Sequence, residues 1–348
     1  MAGASPPEAP PKKPLTYAAA GVDIEKADRA KKAILKTLSF KRTGLGAPLD
    51  LPWGFAGAVD FGEHALVLCT DGVGTKVEVA AATNRWETIG IDAVAMNVND
   101  ALCAGAEPLA LVDYIVLQKP DEDLVTRIAV GLNEGARQSN ATIVGGETAI
   151  LPELANGVDV SATCLGYAKK SEILQAERVR AGDVLIGFAS SGLHSNGYTL
   201  ARRILRDAGV RYDDPGPGGR TWGEILLEPT LIYVKALLAL RAKVAVRGAA
   251  NVTGGGLTNL SRMNRRLEYL LDEPFPTPEV FRALAEYGKV EPKEMWRTFN
   301  MGLGFVVAVA DADVPAALSA LAPHANAKVV GRVVPGSGVW LPGLDLRF

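Results

Sequence analysis

Apolar runs of strand length alternate along this chain with segments whose apolar residues recur at helical spacing. The runs ALVLC at 65–69 and LALVDYIVL at 109–117 predict buried strands. PDEDLVTRIAVGLNEGARQS at 120–139 has helical spacing and an acidic first turn, which helix N-termini favour. Further strands are predicted at 141–146, 158–168, 183–190, 304–310 and 327–334. The alternation indicates a mixed α/β (α+β) fold.

A charged and weakly periodic stretch, KKSEILQAERVRAGD at 169–183, separates two halves with similar patterns. We therefore predict a domain boundary near residue 170, with domains at 15–170 and 171–348. The first fourteen residues contain five prolines and no apolar core. Because proline removes a backbone donor and interrupts helix and sheet, this segment is expected to be a disordered tail and not a secretory signal.

Composition narrows the range of functions. The chain has 348 residues, 48% apolar and 22% charged, with a formal net charge of −2. This composition is typical of a globular protein and gives no basic field for nucleic acid or an anionic membrane. No apolar run approaches the roughly 18 residues of a membrane span. The three cysteines lie in apolar contexts without metal-ligand spacing, which favours buried thiols in a reducing cytoplasm. The three scattered histidines argue against a histidine-rich zinc site.

The helix predicted at 88–106, TIGIDAVAMNVNDALCAGA, carries acids and amides without lysine or arginine. At about 100° per residue, its apolar residues fall on one side. Asp92, Asn99 and Asp100 fall within a wedge on the other side, and Asn97 lies at the border of that wedge. A solvated helix face is one interpretation. The other is a site for Mg²⁺, which prefers such oxygen ligands together with substrate phosphates.

The stretch TDGVGTK at 70–76 follows the first predicted strand and is neither a P-loop nor a G-x-G-x-x-G motif. Asp71 at the strand end could hold a metal that neutralises phosphate charge. Gly72 and Gly74 would let backbone amides approach, and Lys76 would add a positive charge. A common tight turn is the alternative.

Four further segments carry polar residues that could contact a ligand. GGETAILPE at 145–153 adds Glu147, or is a polar turn. SSGLHSNG at 190–197 offers His194 as a titratable group, although its Ser195 and Asn196 could simply cap a helix.

The segment TGGG at 253–256 could present amides to an anion or serve as a linker. In RTFN at 297–300, Arg297 and Asn300 could bind ligand or hold a structural turn.

Together these segments resemble the phosphoribosylformylglycinamidine cyclo-ligase (aminoimidazole ribonucleotide synthetase) family. The match runs in the family's order from about Thr16 to near the end of the chain. It comprises TYAAAGVD, DGVGTK, TIGIDAVAMNVNDALCAGAEPL, VGGETA, SSGLHSNG, LEPTLIYVKALL, TGGG and RTFNMGLG. The resemblance implies a two-domain synthetase fold and a homodimer in which N-terminal strands pair with the partner. It also implies ATP- and Mg²⁺-dependent closure of the imidazole ring of formylglycinamidine ribonucleotide, through an iminophosphate.

The resemblance also implies roles for individual residues. Metal ligands would be Asp71, Asp92, Asp100 and Glu147. The nucleotide would contact Gly72, Val73, Gly74, Thr75, Lys76, Asn97, Asp100, Gly145, Gly146 and Glu147. The substrate would contact His194, Ser195, Asn196, Thr253, Gly254, Gly255, Gly256, Arg297 and Asn300. His194, as proton acceptor, Lys76 and Asp71 are the expected catalytic residues.

The chain departs from the common family pattern at several places, as a divergent, archaeal-like branch would. Ala18 and Ala19 replace Lys and Asp, Ile150 replaces Glu, and Asn251 replaces His. Asn97 and Met301 each stand where Cys is common. A relative acting on thiamin phosphate or selenide and a binding protein without activity remain alternatives. The glycine-rich stretch at 44–57 lacks the cysteine that a selenide enzyme would use, and the absence of a strand–GxGxxG–helix unit argues against a dehydrogenase.

Overall fold

The computed structural model describes residues 15–51 and 54–348, so the tail predicted at 1–14 lies outside the described residues. Two β-sheets, one from each half of the chain, form the framework. The first sheet ends at Lys169 and the second begins at Val184. The predicted mixed α/β class is confirmed.

The first sheet has the order β1-β2-β3-β6-β4-β5, antiparallel apart from the parallel pair β4 and β5. Its strands are β1 Pro48–Leu49, β2 Gly57–Phe61, β3 His64–Gly72, β4 Glu107–Leu117, β5 Thr142–Ile150 and β6 Val158–Lys169. The helices of this half are α1 Ile24–Thr37, α2 Val77–Thr83, α3 Ile89–Cys103 and α4 Glu122–Ser139. The strands predicted from apolar runs are confirmed, and β5 extends beyond its predicted end.

The second sheet has the order β13-β12-β9-β11-β7-β10-β8, antiparallel apart from β12 and β9. Its strands are β7 Val184–Ala189, β8 Gly248–Asn251, β9 Leu267–Leu270, β10 Leu303–Val309, β11 Ala327–Pro335, β12 Gly338–Leu341 and β13 Leu346–Arg347. The helices are α5 Tyr198–Asp207, α6 Trp222–Leu226, α7 Val234–Arg241, α8 Glu279–Gly288, α9 Pro292–Thr298 and α10 Val314–Leu321. Within the described residues, no helix has the length and apolar character needed to cross a membrane.

Helix α3 is the central element, because it packs against the first sheet, α4 and elements of the second half. Every residue of α3 except Asp100 is buried. The close crossing with α4 depends on glycine, since a methyl group at Gly90 would lie 2.1 Å from the amide nitrogen of Leu132. The solvated-face interpretation of α3 is therefore wrong. Its polar side chains lie inside the protein, where each one needs a partner.

The opposite face of the first sheet is open. Leu68, Val112 and Tyr114 are exposed there, at 47%, 42% and 43%. Thr70, Thr163 and Val112 occupy one row of the β3, β6 and β4 register, so they share this face. We call this surface the open sheet face.

Candidate active site

The candidate site is a cleft between the two halves, where β3, α3 and β8 end close together. Asp71 lies near the end of β3, Asp100 in the last turn of α3, and Asn251 at the end of β8. Asn251 Nδ2 donates to Asp100 Oδ1 at 2.9 Å, which joins the two halves at this point. The structure thus brings together two of the four predicted carboxylates, Asp71 and Asp100.

Asp71 and Asp100 are close enough to interact electrostatically. Burial raises the pKa of Asp100 to about 7, and the charge of Asp71 adds to this rise, while the hydrogen bond from Asn251 opposes it. The side chain of Asp71 is exposed, yet the surrounding protein raises its pKa, against the positive charges of Lys31 and Arg262. A cation bound here would stabilise the ionised form of both carboxylates.

The donor set fits Mg²⁺. Among the described residues, no cluster of three or more His, Cys, Asp or Glu side chains could hold a metal ion. Mg²⁺ commonly uses only one or two carboxylates together with waters and substrate phosphates. Two amide oxygens beside the carboxylates, Asn97 Oδ1 and Asn251 Oδ1, are buried without a hydrogen-bond partner in the described structure. Such atoms are rare in native proteins and indicate a missing ion, water or ligand.

Lys76 and Asp92 form a fully buried ion pair, with 2.7 Å between Nζ and Oδ2. Lys76 Nζ also donates to the carbonyl oxygens of His194 at 3.1 Å and Glu228 at 2.7 Å. Asp92 Oδ1 accepts from the backbone and hydroxyl of Thr230 at 2.8 and 2.6 Å. The roles of Lys76 toward phosphate and in catalysis, and of Asp92 as a metal ligand, stay predictions, and each would require this ion pair to open. Both side chains join the two halves of the chain.

His194 and Ser195 are buried, with 2% and 7% exposure. Burial and the charge of Lys76 lower the pKa of His194 to about 3. His194 Nε2 accepts from the amide of Ser191 at 3.2 Å, and Ser195 Oγ donates to the carbonyl of Val73 at 2.7 Å. Both side chains are thus engaged within the protein in this structure, and the roles of His194 as proton acceptor and of both residues as substrate contacts stay predictions.

Asn300 also has a structural role. Its Oδ1 accepts from Ser190 Oγ at 2.9 Å and from a backbone amide at 2.9 Å, and its Nδ2 donates to Gly192 at 2.8 Å. These bonds hold the loop that precedes His194, and the substrate contact of Asn300 stays a prediction. Arg297 is half-buried and lines a cavity of about 330 Å³ with Tyr17. Its ligand role stays a prediction.

The TGGG segment at 253–256 combines two functions. A methyl group at Gly254 would lie 3.0 Å from Asn196 Oδ1, so this glycine leaves bare backbone opposite a polar side chain. Gly256 has φ of +53°, and a methyl group there would lie 2.1 Å from the carbonyl oxygen of Trp296. Gly256 is buried and required for packing, so its predicted substrate contact is wrong. The predicted contacts of Thr253, Gly254, Gly255 and Asn196 stay open.

The GGET motif lies inside β5 and not in a loop. Strand register places Asp71, Ala162, Asp113 and Gly146 in one row across β3, β6, β4 and β5. Glu147, one residue further, therefore points to the other side of the sheet and lies on the open sheet face, next to Tyr114. Three strand spacings of about 4.8 Å separate β3 from β5. Within one chain, Glu147 therefore lies on the opposite face of the sheet from Asp71, and the roles of Gly145, Gly146 and Glu147 toward metal and nucleotide stay predictions.

The TDGVGTK stretch is a tight turn from β3 into α2. Gly72 ends the strand, and Gly74 is exposed with φ of +68°. Val73 is fully buried, and Thr75 Oγ1 lies 3.0 Å from Thr199 Oγ1. Val73 therefore packs in the core and Thr75 contacts α5, while the nucleotide contacts of Gly72, Val73, Gly74 and Thr75 stay predictions.

Three cations that belong to none of the sequence motifs line a pocket beside Gly254, with a volume of about 310 Å³: Lys31, Arg262 and Arg265. The spacing of Arg262 and Arg265, three residues apart just after TGGG, is the signal that could have revealed them. Asp113 is also absent from the predicted site residues, although its carboxylate lies 2.4 Å from a methyl group built on Gly146.

Two family models match the chain. AIR synthase related protein, N-terminal domain, matches residues 54–168, and the corresponding C-terminal domain matches residues 180–341. A curated relative from Methanosarcina acetivorans, named phosphoribosylformylglycinamidine cyclo-ligase, is 47% identical over 337 residues, covering 96% of this chain and 99% of the relative. The chain belongs to the phosphoribosylformylglycinamidine cyclo-ligase family.

A second cyclo-ligase, from Methanocaldococcus jannaschii, is 46% identical over 326 residues, covering 92% of each chain. Both source organisms agree with the archaeal-like branch expected from the sequence. Among solved structures, the hydrogenase maturation protein HypE in complex with ATP has the same fold, with a TM-score of 0.61, 19% identity, and coverage of 90% of this chain and 88% of that chain. At this identity the likeness concerns the fold alone.

The departures from the common cyclo-ligase pattern can now be placed. Asn251 is the residue that bonds Asp100 across the cleft. Ala18 and Ala19 lie in an exposed turn, and Ile150 lies at the exposed end of β5. None of these replacements disturbs the pairing of the cyclo-ligase carboxylates at the cleft.

Proposed function

We propose that the chain catalyses the ATP- and Mg²⁺-dependent ring closure of formylglycinamidine ribonucleotide to 5-aminoimidazole ribonucleotide, a step of de novo purine biosynthesis. The observation that carries the proposal is the convergence of Asp71 and Asp100 opposite Asn251, in a member of the cyclo-ligase family. The family uses ATP. Mg²⁺ is supported by the two carboxylates and the two unpartnered amide oxygens beside them.

The proposed chemistry needs no protein nucleophile. The γ-phosphoryl group of ATP moves to the formamide oxygen of the substrate and ADP leaves. The amidine nitrogen then attacks the activated carbon, so that a C–N bond forms, the C–O bond breaks, phosphate departs and the nitrogen loses a proton. Both reacting groups belong to one substrate, and positioning therefore supplies much of the rate.

The residues of the cleft divide this task. Asp71 and Asp100 would hold Mg²⁺, which when bound screens the charge of the transferred phosphoryl group. Asn251 orients Asp100 through the bond at 2.9 Å. Asn196 and the bare backbone of Gly254 border the other end of the cleft. The departing proton would go to phosphate, to solvent or to His194, the pKa of which is lowered by burial to about 3.

We also propose domains at 15–170 and 171–348 and a homodimer formed through the open sheet face. Exposed apolar side chains on an uncovered sheet are typical of an interface.

Val112→Lys would place a charge at the centre of this surface and is expected to convert a dimer into a monomer. Light scattering measures the change in mass. Exposed Val130→Lys on α4 is the matched control. An unchanged mass for the Val112 variant would refute this interface.

The proposed ligands are ATP and one small ribonucleotide, without nucleic acid or membrane. A cytoplasmic location is supported by three cysteines that are buried free thiols.

The function is tested by coupled turnover. With Mg²⁺, purified protein should convert ATP to ADP only when formylglycinamidine ribonucleotide is added, with one aminoimidazole product per ADP. Nucleotide binding without turnover would instead indicate a binding protein. ADP formation with thiamin phosphate, and none with the ribonucleotide, would indicate a kinase of the same fold.

A further inference from the structure

The charged side chains that line the pocket at Lys31, Arg262 and Arg265 are all positive. Its wall also includes Gly254 and Gly255, and none of the described residues that line it is acidic. The side chains of Thr258 and Asn259 lie within 3.2 Å of a methyl group built on Gly255, so polar groups surround the bare backbone. A pocket with cationic and hydroxyl groups around exposed glycine backbone is suited to a phosphate monoester.

Arg262 is the central residue of this pocket. Its Nη1 donates to the carbonyl of Gly54 at 3.2 Å, and its guanidinium carbon lies 4.8 Å from the centre of the Phe55 ring. Both contacts are with neutral groups and fix the plane of the guanidinium group. The remaining donors of a guanidinium group held in this way are preorganised for a tetrahedral anion.

A second arginine-lined cavity offers a useful contrast. It has a volume of about 850 Å³, but its wall includes Asp213 and Glu224. Its arginines pair with acids, as Arg202 does with Glu78 at 3.3 Å and Arg211 with Asp213 at 3.4 Å. An anion there would have to compete with carboxylates already in place. The smaller pocket at Arg262 is therefore the better anion site.

The Arg262 pocket adjoins the carboxylate end of the cleft, because Gly254 in its wall lies only three residues after Asn251, which bonds Asp100. A ribonucleotide with its phosphate at Arg262 would extend toward these carboxylates, where the proposed phosphoryl transfer takes place. The Arg262 pocket therefore favours an anion, whereas Asp71 and Asp100 favour a cation. This difference lets the substrate bind in one orientation only.

We propose that Arg262, assisted by Lys31 and Arg265, binds the 5′-phosphate of the ribonucleotide substrate and makes the site selective for the phosphorylated form. This inference rests on the proposed function, and it assigns the selectivity to residues outside the TGGG motif.

The test compares Arg262→Lys, Arg262→Ala and Arg265→Ala with Arg266→Ala, an adjacent exposed arginine that does not line the pocket. Because a charged hydrogen bond contributes about 1.5–3 kcal/mol, Arg262→Ala should raise the KM for the ribonucleotide about 10- to 100-fold. Arg262→Lys and Arg265→Ala should give smaller increases, and the KM for ATP should change less than about twofold in all variants. Arg266→Ala should match the wild type.

Ribose 5-phosphate is the direct probe, measured by calorimetry and as a competitive inhibitor against the substrate. Binding that is lost in Arg262→Ala and kept in Arg266→Ala would support the site, even if the protein failed to turn over its proposed substrate. Turnover with ribose 5-phosphate binding unaffected at Arg262 would overturn the site and leave the reaction standing. Equal losses in the Arg265 and Arg266 variants, a change confined to the KM for ATP, or binding abolished by Arg202→Ala would each overturn it as well.

Discussion

Helix α3 carries two sets of polar side chains: one set is hydrogen-bonded to the second half of the chain, and the other faces the cleft. Asp92 and Asn99 bind the segment before α7: Asp92 accepts from Thr230, while Asn99 donates to Leu231 at 2.8 Å and accepts from Tyr233 at 3.0 Å. Asn97 and Asp100 face the cleft, where Asn97 Oδ1 has no hydrogen-bond partner in the described structure.

The difference shows that burial and polarity alone do not identify a binding residue. Asp92, through its ion pair with Lys76, and Asn99 both bond groups of the protein, which indicates an internal joint, since a ligand would have to break existing bonds. Asn97 Oδ1 and Asn251 Oδ1, beside Asp100, have no such partner in the described structure, which favours a binding role at this point.

The largest expected effect is at the cleft. Asp100→Ala should lower Mg²⁺-dependent turnover by at least about 10³-fold, equivalent to about 4 kcal/mol of transition-state stabilisation, because one of two metal carboxylates is lost. The midpoint of thermal unfolding should change little. Steady-state kinetics and calorimetry measure the two quantities. Turnover within tenfold of wild type would refute the metal assignment.

Substitution at the Lys76–Asp92 ion pair should have the opposite effect, on stability and not on turnover. Asp92→Ala leaves the buried charge of Lys76 unpaired and should lower the free energy of unfolding by about 3–5 kcal/mol. Turnover per folded molecule should stay within about tenfold, because Asp92 touches no ligand. Denaturant titration provides the measurement, with exposed Asp123→Ala as control. A loss of turnover without a loss of stability would place Asp92 in the site.

The TGGG segment allows the same comparison between neighbouring glycines. Gly256→Ala should destabilise the fold by about 1–3 kcal/mol, because its methyl group would meet the backbone of Trp296. Gly254→Ala should leave stability nearly unchanged and raise the substrate KM, because its methyl group would enter the cleft beside Asn196. Reversed effects of the two substitutions would contradict the division between packing and binding.

The smallest effect is a pH dependence. Since the pKa of Asp100 is raised to about 7, the folded state binds its proton more tightly than the unfolded state does. Without Mg²⁺, stability should therefore fall by about 1 kcal/mol as pH rises from 6 to 8. Asp100→Asn should remove this slope. Unfolding curves at several pH values in chelator test it, and an identical slope in the variant would assign the titration to another group.

The sequence predicted most of the secondary structure, because apolar runs and helical periodicity follow directly from burial. It also identified Asp71 and Asp100, whose side chains end up in the cleft. It could not separate Asp92 from Asp100, which lie on the same predicted wedge of α3, because their different environments come from Thr230 and Asn251 in the second half.

The sequence could not predict the burial of His194 and Lys76, for one common reason. A histidine in a Ser/Gly-rich segment is usually exposed, and a lysine after a glycine turn usually faces solvent. Here long-range packing encloses both, and the ammonium group of Lys76 bonds the carbonyl of His194. The position of Glu147 required strand register, which the motif GGET does not encode.

The ion pair between Lys76 and Asp92 has a consequence for how small molecules enter and leave. Because α3 is fastened on one side to the first sheet and on the other to the segment at 227–233, the walls of the cleft cannot swing apart without exposing an ammonium–carboxylate pair. We expect substrate and product to enter and leave the cleft beneath the N-terminal helix α1, whose outward surface is largely exposed. We do not expect them to pass through a hinge between the two halves.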